Sequence, residues 1–504
     1  MELQKENKSW IYEIGGQIWK TFSFKTDLSM EGGYLMLSQT VFNTKIRSAR
    51  VERKEKVLGY FLGPIGVSVL ASILNSYLNV YYTDVLDLSN LWGGAFLTVF
   101  PLISKILGAA AFLFMARLVD RTRSPQGKAR PWILFSAPVL LASMVMLFVI
   151  PGNEAFVQAI WIFVAYNLFY TVGYTAYSTS HTLLVPLATR REGERNALSL
   201  ATNALNMVSG TFLAILFPCV LMPAMGTDQE NWILVIVVIT AVCCPLLLME
   251  YYYTVERVTL EERAKEATTR VREKLSSMGG YLWQQLRLCV KSSQWNILML
   301  YMIIYNLFNF LSSYSIFYYC NWVLGTYNDG ITQALFYGLG NAPLGLGIFL
   351  CTPICRKLGR KNAMMYGYFL AAIGCLICYI RPQSLALVLT GQAIKAFGLI
   401  PSTFMVSTLL ADALDDVERE SGLRCDGFSS SAFQIISTIT GGIALGIFNF
   451  MLARLDYQAP AQTAMLPVQN AGICDFFSFC ALGAPMICYV ALGMLLFWSG
   501  RKDS

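Results

Sequence analysis

Inside an apolar run that begins near residue 58, Ser68, Ser72, Asn75 and Asn79 recur at steps of four, three and four, which places two amides on one face of a helix. Tyr166, Tyr170, Tyr174 and Tyr177, followed by His181, form a second stripe in a later apolar run. Tyr301, Tyr305 and Asn309 form a third, and Gln392, Lys395 and Thr403 a fourth. Amides and hydroxyls both donate and accept hydrogen bonds, and aromatic faces stack on the apolar face of a sugar ring. The four stripes together therefore predict a site for a neutral, hydroxyl-rich small molecule. Each residue singly also suits hydrogen bonding between helices of a membrane bundle, and that reading stays open.

Lys105 and Lys395 fall near the middle of their apolar runs, where an ammonium needs an anion, a carbonyl or water. No Asp or Glu lies near the centre of a run: Asp84, Asp120, Glu250 and Asp412 all stand at run ends. Lys395 reads either as a contact for an anionic ligand group such as a uronate carboxylate, or as a lysine that snorkels or keeps water. His181 is the only histidine, and its titration range makes it a candidate proton site, with a hydrogen-bonded structural imidazole as the alternative. The stretch GLGNAPLGLG at 338–347 lacks the Lys-Ser/Thr ending of a phosphate loop, so close helix packing is expected there. Cys375 and Cys378 form a C-x-x-C without a second pair or a nearby histidine, and most other cysteines lie in apolar runs as small hydrophobes. No metal and no cofactor is expected. The runs hold no nucleophile–base pair and no paired carboxylates, so a membrane enzyme ranks last.

The elements that must position these residues are membrane spans. Of 504 residues, 55% are apolar and 14% charged, against roughly a quarter charged in a soluble domain, too few to coat a globule. Apolar runs of the roughly 20 residues that cross a bilayer recur near 58–82, 90–116, 131–151, 156–187, 197–222, 232–252, 295–323, 331–354, 363–381, 386–411, 430–453 and 474–498. With the N-terminus inside, every Lys and Arg but Lys105, Lys395, Arg381 and Arg454 falls on the cytoplasmic side, the partition that short loops follow. A miscounted span would scramble it. Basic residues set between apolar runs, rather than clustered on a soluble face, argue against nucleic acid as a partner despite the net charge of +7. The partners expected are a small sugar or glycoside and the lipid bilayer, with the chain a monomer in a cell membrane and both termini cytoplasmic.

The expected organisation is a cytoplasmic N-terminal extension over 1–56, a six-helix bundle over 57–252, a charged cytoplasmic linker over 253–294 and a second six-helix bundle over 295–500. Within the extension, Trp10, Ile11, Trp19 and Phe22 suit an interfacial helix, with a disordered segment as the alternative. The halves echo each other: RLVDRTRSPQGKARP at 117–131 follows the second run and RKLGRKN at 356–362 the eighth. Basic turns at equivalent places in two six-helix halves resemble the parallel repeat of the major facilitator fold, giving an all-α membrane protein of twelve transmembrane helices.

Three segments narrow the resemblance. NVYYTDVLDLS at the end of the first run, DRTRSPQGKARPWIL at 120–134 and LADALDDVERESGLRCDG after the tenth run are similar to signatures of the glycoside–pentoside–hexuronide symporters, in the same order and over about residues 58–455. The resemblance implies a secondary transporter of a sugar, glycoside or uronide that works by alternating access. It also implies a cytoplasmic gate in which Asp120, Arg123 and Lys128 face Asp412, Asp416 or Arg424. The departures concern coupling. Where family members carry Arg-x-Trp-Asp-x-x-Asn-Asp-Pro, this chain has Lys105-Ile-Leu-Gly108-Ala-Ala-Ala111-Phe112-Leu113, and the family's sugar-binding charges align with Ser68, Ser178, Thr202 and Thr440. Sodium wants hard oxygen ligands, which Gly108, Ala111 and Phe112 do not supply from their side chains. The expectation is a carrier without the usual sodium site, with a proton carrier using His181 or a glycoside-binding sensor as alternatives.

Overall fold

The computed structural model describes residues 28–31, 34–37, 43–88, 92, 94–122, 124–151, 154–191, 194, 198, 201–202, 215, 217–259, 287, 290–327, 330–421, 426–460 and 467–502. Ten helices among them are long and apolar enough to cross a membrane. They are α1 (Glu55–Val85), α2 (Ala95–Val119), α3 (Arg130–Phe148), α4 (Phe156–Ala188), α6 (Gln229–Thr259), α7 (Ser293–Leu324), α9 (Lys361–Ile380), α10 (Leu385–Thr403), α11 (Ala432–Arg454) and α12 (Ala471–Trp498). Gly330–Leu358 is a further long helix, α8, in the place of the eighth run. The fifth run lies mostly outside the described residues, and the helical turn Phe217–Leu221 within it is labelled α5. Helix is the form such segments must take, because lipid offers backbone groups no partners and a helix satisfies them internally. One two-stranded hairpin, β1 (Leu28–Glu31) with β2 (Tyr34–Leu37), departs from the all-helical pattern. Trp10, Ile11, Trp19 and Phe22 lie outside the described residues.

The face where α1 begins is held by three buried polar contacts. The Glu55 carboxylate meets Arg257 at 2.7 Å, and that guanidinium also donates to the carbonyls of Ser48 and Arg50. Thr44 and Lys45 reach the Tyr252 carbonyl, tying the end of the N-terminal extension to α6. The third contact explains the basic turn before α3. Glu256 accepts from the backbone amides of Lys128, Ala129 and Arg130 at 2.7 to 2.8 Å, which satisfies the orphan donors at the start of α3 with a negative charge. Gly127 makes the approach possible: its φ is +122°, and a Cβ there would lie 2.3 Å from the Glu256 carboxyl carbon. Replacing Glu256 by Ala strands three amides and is expected to cost about 2 kcal/mol, read as a melting point lowered by a few degrees in detergent, with Gln intermediate.

Hydrogen bonds that join the two halves gather at the opposite face. Asp84 at the end of α1 accepts from Tyr327 at 3.1 Å and Tyr457 at 3.0 Å, both in the second half, and from its neighbour Thr83 at 2.7 Å. Tyr77 accepts from Gln333 of α8, and Leu97 of α2 from Asn449 of α11, whose amide donates at 2.8 Å. The start of α8 meets α5 so closely that a Cβ on Gly330 would lie 1.5 Å from the Pro218 carbonyl oxygen.

Candidate functional site

Beneath that latched face a narrow recess of about 20 Å³ lies between the halves. Its walls bring Asn75, Asn79 and Tyr82 of α1, Phe100 of α2 and Tyr166 and Tyr170 of α4 against Tyr314 of α7 and Leu445 of α11. Its volume is room for about one water molecule, so a sugar enters only when the halves part, and its lining combines apolar and aromatic surface with a few convergent polar groups.

The polar groups are connected. Tyr170 donates to Asn75 Oδ1 at 3.0 Å, which leaves that amide's NH2 as a donor at the recess wall. Asn79 donates to the Tyr318 hydroxyl at 3.2 Å, that hydroxyl meets Thr83 Oγ1 at 2.8 Å, and Thr83 donates to Asp84. A relay of three hydrogen bonds therefore runs from the recess to the carboxylate that joins the halves. Burial, followed by the Asp84 charge, holds the Tyr327 hydroxyl well above its ordinary pKa, so it remains a donor to Asp84 across the physiological range. The α4 stripe forms an aromatic wall: the Tyr166 and Tyr170 rings are 4.6 Å apart, and Tyr170 and Tyr174 6.1 Å.

Lys105 finds its partner on this wall. Its Nζ stands 4.1 Å from the centre of the Tyr170 ring and 5.8 Å from that of Tyr166, so two aromatic faces take the place of the anion that the sequence lacks. The backbone allows it because Gly442 of α11 lies against the lysine stem, where a Cβ would come within 2.8 Å.

Of the residues singled out by the stripes, Asn75, Asn79, Tyr166 and Tyr170 line the recess, and Tyr174 adjoins them, as does Lys105. Ser68 and Ser178 are half-buried on α1 and α4 away from it, and the Ser178 carbonyl accepts from Thr182. Tyr305 stacks on Tyr301 with their rings parallel to within 2°, and Asn309 is exposed one turn further on. Gln392 is buried facing Gly340 of α8, and Lys395 packs in the α9–α10 contact near Cys375 and Cys378. His181 is bound to Glu250, together with Tyr177. Of the proposed gate, Lys128 is described, with its backbone amide on Glu256. Arg123 and Arg424 lie outside the described residues, as do the side chains of Asp120, Asp412 and Asp416. The glycines of 338–347 sit within α8, where Gly338 and Gly340 let Ile215 and Gln392 approach closely.

Two groups of polar residues escaped the reading of spacing alone. Tyr327 and Tyr457 reach Asp84, and Tyr318 its neighbour Thr83, from segments far apart in sequence. Tyr314 of α7 lies nine residues beyond Tyr305, about two and a half turns on and so on the other side of the helix, which is why the stripe of Tyr301 and Tyr305 did not reach it.

Residues 59–499 match the family model described as MFS/sugar transport protein. The isoprimeverose transporter of Lactiplantibacillus pentosus is 23% identical over 79% of this chain and 80% of its own length. A putative glycoside/cation symporter of Escherichia coli (strain K12) is 25% identical over 88% of this chain and 91% of its own. Among solved structures, a D-xylose–proton symporter superposes with a TM-score of 0.58 at 13% identity, covering 88% of this chain and 96% of the other, a likeness of fold. The ten membrane-spanning helices among the described residues, the polar recess and this match over most of the chain agree: the protein is a multi-pass membrane protein that belongs to the MFS/sugar transport family, in its glycoside–pentoside–hexuronide branch.

Proposed function

We propose that this protein carries a sugar or glycoside across the cell membrane, exposing the recess between its halves first to one side and then to the other. The observation that carries the reading is the recess itself, whose two amides and aromatic wall from one half meet a tyrosine from the other. Such a lining suits a ring with hydroxyls on its edge and C–H groups on its face. The relatives named for isoprimeverose and for glycosides support the substrate class. Lys105 is the cation nearest the recess, which favours it over Lys395 as the contact for a uronide carboxylate.

In this reading the chain acts as a monomer with both termini in the cytoplasm, so the Asp84 cluster closes the outer end. The charged residues of 120–128 and 412–424 close the inner end. The chain catalyses no reaction, and the sodium site of its family is replaced at Gly108, Ala111 and Phe112 by positions without side-chain oxygens. Counterflow of isoprimeverose and of a methyl glucuronide in vesicles holding the purified protein tests it. Asn75→Ala and Asn79→Ala are each expected to raise KM about tenfold, the worth of one good hydrogen bond. Binding without exchange would favour a sensor, and neither binding nor exchange for any neutral glycoside or uronide would refute the reading.

A further inference from the structure

Glu250 of α6 has none of its side chain exposed, and a bare carboxylate in the interior of a membrane bundle needs partners. Both oxygens have one. Oε1 lies 2.6 Å from His181 Nδ1, and Oε2 accepts the Tyr177 hydroxyl at 2.6 Å. The two partners are one turn apart on α4 with their rings stacked, 5.4 Å between centres. α1 closes the remaining side: a Cβ on Gly63 would stand 2.6 Å from Glu250 Cβ, too close for water to enter. The carboxylate is sealed, whereas the imidazole keeps 19% of its side chain exposed. Eleven residues of α4 separate His181 from Tyr170 of the recess, and the chain between them includes the wide turns of Leu168–Tyr174.

The charge balance of the pair turns on one proton. A contact of 2.6 Å between Nδ1 and Oε1 holds a hydrogen whichever atom owns it. With a neutral imidazole and an ionised carboxylate the pair carries one negative charge, and one more proton makes it neutral overall. The charged groups facing this corner from the neighbouring elements are already matched. Glu55 and Arg257 pair with each other, Glu256 holds three amides and Thr259, and Arg130 donates to the carbonyls of Gln126 and Tyr251. The other titratable group there, Tyr60, donates to the Leu184 carbonyl. Thr254 donates to the backbone carbonyl of Glu250 and leaves its carboxylate to the two α4 residues. Among the described residues, His181 is the one cationic side chain in contact with Glu250.

We infer that the Glu250–His181 pair, with Tyr177 holding the second carboxylate oxygen, binds one proton that travels with the solute. The proton enters through the partly exposed imidazole, resides on the pair while the loaded protein changes face, and leaves to water on the other side. The inference rests on the transporter reading above and gives that reading the coupling ion that positions 108–112 do not supply.

The test uses the full-length protein in vesicles, with isoprimeverose as the probe. Wild type is expected to take up protons when the sugar is added, and an inward gradient of one pH unit should drive about tenfold accumulation, the ratio for one proton per solute. Glu250→Gln keeps the side-chain shape and should retain counterflow while losing both proton-linked signals. His181→Gln should lose the gradient-driven accumulation. Counterflow in wild type without proton uptake, or gradient-driven accumulation that survives in Glu250→Gln, would overturn the proton site and leave the carrier standing. Absence of counterflow in wild type would strike the carrier reading for this sugar. The proton site is then decided by a solute-free infrared titration: a titrating carboxylate or imidazole band present in wild type and missing in both Glu250→Gln and His181→Gln supports it, and identical spectra defeat it.

Discussion

Asp84→Ala is expected to cut transport by at least about tenfold and to leave the protein resting with its outer end open. The Asp84 carboxylate accepts from Thr83, Tyr327 and Tyr457, and two of these donors belong to the second half. Removing the acceptor leaves hydroxyls in a closed interior without their partner, and it removes the charge that makes each bond stronger than a neutral one. These losses fall on the outward-closed state alone, because the donors on the second half move away from α1 when that end opens. A differential loss of about 3 kcal/mol shifts the ratio of the two states by roughly a hundredfold. A carrier held in one state cycles slowly however well it binds its solute. Asp84→Asn keeps an acceptor oxygen and should fall between the two. Hydrogen–deuterium exchange should rise in peptides covering 77–88, 318–327 and 448–457 of the alanine variant and stay unchanged around 250–259. Wild-type transport with unaltered exchange would show that the cluster is structural and not a latch.

A second perturbation reaches the same end by steric means. Gly330→Ala adds a single methyl at a point where it would lie 1.5 Å from the Pro218 carbonyl oxygen, so backbone meets backbone and no side chain can rotate away. The start of α8 must then withdraw from α5, roughly 1.5 Å or more, before the outward-closed state can form. Each half keeps its own core, so the melting temperature should change little while exchange of solute across the membrane falls by at least about tenfold. Raised hydrogen–deuterium exchange over 217–225 would accompany it. A Gly330→Ala protein that transports normally would mean the two halves close with looser packing than this contact implies. Agreement between a chemical and a steric change at one face would separate the latch from the folding of either half.

Among the described residues hydropathy placed most spans within a few residues, because a segment in lipid must be apolar for its whole length and must be helical. That requirement is local and is written in consecutive residues. α10 illustrates the limit: its helix continues to Ser421, past the apolar run that ends near residue 411, because helical hydrogen bonds do not stop where lipid does. The stripes of Asn75, Asn79, Tyr166 and Tyr170 were legible for a similar reason, since one face of one helix repeats in sequence. Lys105 showed in sequence only as a cation lacking an acid. Its aromatic partner comes from α4 and depends on how two helices cross.

The sequence by itself determined the solvent and the approximate bounds of the described membrane helices, both consequences of composition and helical period, and its motifs pointed to the family. Only the tertiary structure decided that Asp84, Tyr318, Tyr327 and Tyr457 meet, that Glu250 seals against His181 and Tyr177, and that Gln392 and Lys395 turn toward α8 and α9. Each of those depends on helices distant in the chain, where packing in three dimensions and not spacing along one helix selects the neighbour.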